Sequence, residues 1–165
     1  QDESRFGQKG ILAYKWQRRG IRNEVVRQQA YENTYFYGAI NPISGDRHSL
    51  ILPTCDSYCT SLFLSSLSSS LARSKLVVLV MDQASWHKSQ GLKVPNNIKI
   101  FHLPPYSPQL NPIERLWLYI KKKYLANRYL RSYKDILDAG CKAWNTLTRE
   151  VIMNISKNFI VNSCI

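Results

Sequence analysis

Acidic residues are scarce in this chain: eleven Asp and Glu stand against twenty-three Lys and Arg, leaving a net charge of +12 over 165 residues. The excess of cations is spread along the sequence rather than gathered in a tail, which favours a polyanionic partner, most simply nucleic acid. A basic, solvated surface is the alternative that charge alone leaves open. Long hydrophobic runs are missing as well. The longest is Leu76–Met81, far short of the ~20 apolar residues a membrane helix needs, and the N-terminus carries no hydrophobic signal region. A soluble cytoplasmic protein with no membrane partner is the expectation. The four cysteines, at 55, 59, 141 and 164, form no CxxC pair and have no run of His beside them. That spacing argues against a structural zinc site and for reduced, partly buried thiols. No Met precedes Gln1-Asp2-Glu3-Ser4, so the chain reads as a fragment, and its length fits one domain over residues 1–165.

What is present sorts into strands first and helices later. Ile11–Trp16 and Thr34–Ile40 are rich in aromatic and β-branched residues, and each ends in a turn signal, Arg19-Gly20 or Asn41-Pro42-Ile43-Ser44-Gly45. With His48–Leu52 following the second turn as a hairpin partner, three antiparallel strands are expected in succession. Leu64, Leu67 and Leu71 then repeat at helical spacing, with Thr54 or Asp56 placed to cap that helix. The run Leu76–Met81 is apolar on both alternating faces, the pattern of a central strand covered on both sides. Ile98–Phe101 predicts another short strand. After a proline-rich loop, Ile113, Leu116, Trp117, Ile120 and Tyr124 form an apolar stripe at steps of three and four. Further helices are predicted from Ser132 to Trp144, with Ser132 as cap, and from Arg149 to Lys157. Strands and helices in this order predict a mixed sheet with helices packed on its faces.

Two carboxylates stand out by position. Asp82 ends the apolar strand, where ligand sites gather in open α/β sheets; a capped turn is the plainer reading. Glu114 lies in the first turn of a helix entered through Asn111-Pro112, a place that acids favour for the helix dipole alone. The loop between them changes the balance. It reads Leu103-Pro104-Pro105-Tyr106-Ser107-Pro108-Gln109-Leu110-Asn111-Pro112, with four prolines in nine residues, stiff enough to hold a helix start in one orientation. Such stiffness suits a metal ligand, which must be placed within fractions of an ångström.

Extended through Ile113-Glu114-Arg115-Leu116-Trp117, this motif resembles the signature of DDE superfamily transposases related to the mariner group, its bacterial insertion-sequence branch above all. Asp82, Ala84 and His87 match the family's Asp-x-Ala motif with its His five residues after the Asp. Asp2, Glu3, Ser4, Phe6, Trp16 and Gly20 match the opening of its catalytic domain. The resemblance spans residues 2–126, with thirty-one residues between Asp82 and Glu114. It implies a ribonuclease H-like α/β fold, a mixed sheet with helices on both faces, the first Asp on the first strand, the second after the fourth, and the Glu on a helix after the fifth. It also implies that Asp2, Asp82 and Glu114 are catalytic and hold two Mg²⁺ or Mn²⁺ ions, hard cations that prefer oxygen ligands. The implied activity is metal-dependent DNA cleavage and strand transfer, with transposon ends and target DNA as partners. A homodimer is compatible with it, and nucleoid association would follow from DNA binding. Lys88, Lys121, Lys122 and Arg128, with Lys123 and Arg131, are candidates to seat the phosphate backbone, a solvated helix face being the alternative. His87 is either a phosphate contact or a turn-fixing residue. The family's N-terminal helix-turn-helix region has no counterpart in the sequence. A DNA-binding relic without catalysis and a ribonuclease H-like nuclease remain the competing readings.

Overall fold

In the computed structural model, which describes residues 1–9, 13, 14, 16, 18–20, 28 and 30–162, the first strand is one that hydropathy did not mark. Strand β1 (Asp2–Gly7) pairs antiparallel with β2 (Asn33–Ile40), which pairs antiparallel with β3 (Arg47–Leu52). Asp2 faces Gly38 and Phe6 faces Thr34 across the first ladder. Of the strand expected over 11–16, residues 11, 12 and 15 lie outside the described residues. Ala13, Tyr14 and Trp16 lie in irregular backbone, with both rings fully exposed. Aromatic content suggested a strand there. A strand needs a ladder partner, and β2 gives its hydrogen bonds to β1 and β3. Cys164 also lies outside the described residues.

Helix α1 (Ser57–Ser70) is capped by Asp56, whose Oδ1 accepts from the Cys59 N–H at 2.7 Å. Strand β4 (Val77–Met81) runs parallel to β5 (Ile98–His102). Helix α2 (Pro112–Ile120) continues into a π-helical turn, Lys121–Leu125, and is followed by α3 (Tyr133–Asn145) and α4 (Arg149–Asn162). Ser132 caps α3, accepting from the Asp135 N–H.

The alternation of side chains along β2 divides the core. Phe36 packs with Phe6, Ile113, Leu116, Trp117 and Ile136 on the side of α2, α3 and α4. Its neighbour Tyr37 packs with Phe63, Leu64, Leu79 and Ile98 on the side of α1. Helices therefore cover both faces, as expected. The coverage of β4 is a correction: Val78 is 65% exposed and Phe101 59% exposed. The apolar run suggested burial on both sides, but α2 and α3 lie over β1 and β2, so the outer face of β4 and β5 has no helix on it among the described residues.

The two ladders, β1–β3 and β4–β5, meet where the Gln1 backbone nitrogen donates to the Val80 carbonyl at 2.7 Å. One glycine sets how closely α2 approaches beside this junction. A Cβ on Gly38, the residue opposite Asp2, would lie 2.7 Å from the Trp117 ring and 3.0 Å from Ile113 Cδ1. Gly38→Val should destabilise the chain by about 1–3 kcal/mol through overpacking, lowering the melting temperature by several degrees. Gly91→Ala, where a Cβ meets only Ser89 Oγ at 3.6 Å, is the control that should stay within about 0.5 kcal/mol. Equal melting temperatures for both variants would refute the close approach.

Candidate active site

Three carboxylates reach one cavity from three separate elements. Asp2 opens β1, Asp82 follows the last residue of β4, and Glu114 stands in the first turn of α2. All three line a cavity of about 460 Å³, together with Lys88 and the proline-rich loop. Asn111 ties two of these elements together. It is 4% exposed and makes no side-chain cap to α2; its Nδ2 instead donates to the Gln1 carbonyl at 2.9 Å, beside Asp2. The start of α2 and the start of β1 are thereby held in register. Asp82 Oδ1 accepts from the Ala84 N–H at 3.0 Å, so the turn-capping role read from the sequence is present at the same residue that lines the cavity.

The electrostatics of the cluster are those of acids short of cations. Burial, and then the charges of Glu114 and Glu3, push the Asp2 carboxyl up to about 8 from 3.8. Burial raises Glu114 as well, with Asp82 adding to the effect and Lys121 opposing it. Lys121, half-buried, is lowered by burial while Glu114 and Asp2 pull it back up. Among the described residues, no three His, Cys, Asp or Glu side chains are drawn together closely enough to form a ready ligand set. Oxygen donors from three carboxyl groups nevertheless fit a hard divalent cation. A cation would also offset the burial and neighbouring acid charge that raise Asp2.

Of the candidate phosphate contacts, Lys88 is exposed, lines the cavity and donates to Gln83 Oε1 at 2.9 Å. Lys121 lies close enough to sense Asp2 and Glu114. Lys122 and Arg128 are exposed but away from the cavity lining, and the Lys123 ammonium donates to the Tyr119 hydroxyl at 2.7 Å. His87 needs correction. It is 2% exposed, and both ring nitrogens are engaged, Nδ1 with Asp82 Oδ1 at 2.7 Å and Nε2 with Glu3 Oε1 at 3.0 Å. A buried imidazole with both nitrogens committed has none left for a phosphate in this arrangement. Burial would lower its pKa, but the hydrogen bond to Glu3 and the charges of Glu3 and Asp82 outweigh that and raise it. Sequence reasoning missed Glu3 and Asn111 as parts of the site. Both sit inside the matched motifs, which was their only signal.

Residues 1–137 match the family described as DDE superfamily endonuclease. The chain belongs to that family. It is 41% identical over 113 residues to the uncharacterized protein y4pE/y4sA of Sinorhizobium fredii (strain NBRC 101917 / NGR234), covering 68% of this chain and 84% of that protein. It is 29% identical over 129 residues to the insertion element IS630 uncharacterized 39 kDa protein of Shigella sonnei, covering 74% of this chain and 37% of that protein. Two solved structures share its fold. The Mos1 mariner paired end complex with Mn gives a TM-score of 0.73 at 17% identity, over 96% of this chain and 51% of that one. The Mos1 strand transfer complex gives 0.71 at 17% identity, over 95% and 49%. The chain thus spans about half the length of these solved chains. The fold is ribonuclease H-like α/β, as the resemblance implied. No helix among the described residues is long and apolar enough to cross a membrane.

Proposed function

We propose that this chain is the catalytic core of a transposase, carrying out metal-dependent DNA cleavage and strand transfer at transposon ends. The observation that carries the reading is the convergence of Asp2, Asp82 and Glu114 on one cavity, in a chain of the DDE endonuclease family. The three carboxylates would hold Mg²⁺ or Mn²⁺. When bound, two such ions supply Lewis acidity to the attacking and leaving oxygens of an in-line displacement. The chain's own residues do the rest. Lys88 at the cavity wall, with Lys121 close enough to interact with Glu114 and Asp2, would supply positive charge for a phosphodiester entering an otherwise acidic pocket. Asn111 and the proline-rich loop keep the helix that bears Glu114 fixed against the strand that bears Asp2. Hydrolysis and strand joining are one displacement at phosphorus, with water or a DNA 3′-hydroxyl as the nucleophile. Lys122 and Arg128 extend the basic surface to the flanking duplex.

Supercoiled plasmid incubated with the purified chain tests this. Nicked circles should accumulate with Mn²⁺ and not with EDTA, and free-Mn²⁺ spin resonance should show the ion taken up. A chain that neither takes up Mn²⁺ nor nicks in its presence would overturn the reading.

A further inference from the structure

The carboxylate of Asp82 is held by a side chain from which it has no structural need of support, since it is 55% exposed. A surface aspartate at the end of a strand ordinarily samples several rotamers. This one is pinned through Oδ1, which accepts from the Ala84 N–H at 3.0 Å and from His87 Nδ1 at 2.7 Å. Among the described residues, nothing donates to Oδ2. The imidazole that does the pinning is itself fixed from the far side: its Nε2 donates to Glu3 Oε1 at 3.0 Å, and that carboxylate also accepts from Gln1 Nε2 at 2.6 Å. Glu3 follows Asp2 directly on β1. The side chain of His87 is fully buried and that of Glu3 is 6% exposed, so the link between β1 and the loop after β4 is shielded from competing water. Both partners of the ring are carboxyl groups, which accept when ionised, and the ring can then meet each with a donor nitrogen.

We infer that His87 is a positioning residue: anchored on Glu3, it commits Oδ1 of Asp82 and presents Oδ2 to the cation, so that one buried imidazole sets Asp82 relative to the strand carrying Asp2. This rests on the reading of Asp82 as a metal ligand. Carboxylates that bind metal are themselves oriented by hydrogen bonds, and losing such a partner weakens metal affinity by about 10–100-fold. The arrangement also explains why the ring is buried among acids rather than turned out to the cavity, where Lys88 already stands.

Side-chain geometry offers a test that a merely structural role would not pass. The amide nitrogen of Asn falls near the position of Nδ1, and that of Gln near Nε2. His87→Asn therefore keeps a donor for Asp82 and loses the one for Glu3, whereas His87→Gln does the reverse. Mn²⁺ affinity is read by free-ion spin resonance, alongside the melting temperature of each variant without metal. His87→Gln and His87→Ala should bind Mn²⁺ about 10–100-fold more weakly, and His87→Asn, which keeps the bond to Asp82 but loses the anchor on Glu3, should fall between them and the parent. An Asn variant that binds Mn²⁺ no better than the Gln variant would overturn the inference, and so would a Gln variant that binds it like the parent. Asp82→Ala separates the two levels. If it too binds Mn²⁺ like the parent, the metal-site reading fails; if it loses Mn²⁺ while His87→Gln does not, only the positioning role fails.

Discussion

Asp82→Ala is expected to slow Mn²⁺-dependent plasmid nicking by on the order of 10³-fold or more while lowering the stability of the chain by only about 1–2 kcal/mol, too little to unfold it. The two halves of that expectation have separate physical grounds. The Asp82 side chain is 55% exposed, so truncating it opens no core cavity. What is lost is one turn cap at Ala84 and one partner of His87, together about 1–2 kcal/mol, with Glu3 still engaging the other ring nitrogen. The chemistry has no such reserve. Only three carboxylates line the cavity among the described residues, and groups that act as a unit in catalysis are strongly non-additive, so one loss approaches the loss of all. Nicking rates and melting curves on the same preparation check both halves. Activity that survives in Asp82→Ala removes this residue from the mechanism.

Asp2→Asn should produce effects of opposite sign on stability and on metal response. The Asp2 carboxyl is pushed from 3.8 to about 8 in the folded chain, by burial first and then by Glu114 and Glu3. A carboxyl whose pKa is raised by folding binds its proton more tightly in the native state. Its contribution is most favourable below the unfolded value, declines as pH rises from about 4, and levels off above about 8. Without divalent cations the native chain should therefore lose a few kcal/mol across that window, through this group alone. Asparagine removes the titration. The Asn variant should melt roughly 5–10 °C above the parent at pH 8 without metal, and the two should converge toward pH 4. With Mn²⁺ the order reverses. A cation must displace the proton on Asp2, so stabilisation of the parent by Mn²⁺ should grow from pH 6 to pH 8, and the Asn variant should respond weakly at both. A parent whose stability is flat over this window, or an Asn variant that melts lower without metal, contradicts the placement of Asp2 in a crowded acidic cluster. Stability given up at a site for the sake of function is a general trade, and these measurements would tie it to one residue.

The helices were legible because their signals are local. Asp56 and Ser132 cap where the sequence places them, and the stripe from Ile113 to Ile120 is buried as its spacing requires. Strand β4 was legible as an element but not in its surroundings: a run of Val and Leu marks extended backbone, yet which faces are covered depends on where distant helices dock. Composition pointed past the first strand to residues 11–16, and only the family resemblance put Asp2 on it. Residues Asp2–Gly7 include two acids and an arginine, a composition that hides a strand. They pair because β2 presents a free edge, and Ser4 and Phe6 alternate into the core.

The sequence by itself determined the family, the identity and order of the three carboxylates and the rigidity of the loop before Glu114, because motif identity and proline content are carried by the chain and need no partner. Tertiary structure alone decided which groups meet. The tie from Asn111 to Gln1 spans 110 positions and the bridge from His87 to Glu3 spans 84, distances over which no local propensity acts. His87 was visible as a residue of interest, but whether it faced phosphate or an aspartate depended on its burial. That burial arises only when β1, β4 and the turn after β4 close around it, and the low dielectric they create makes its two carboxylate bonds strong enough to orient the site.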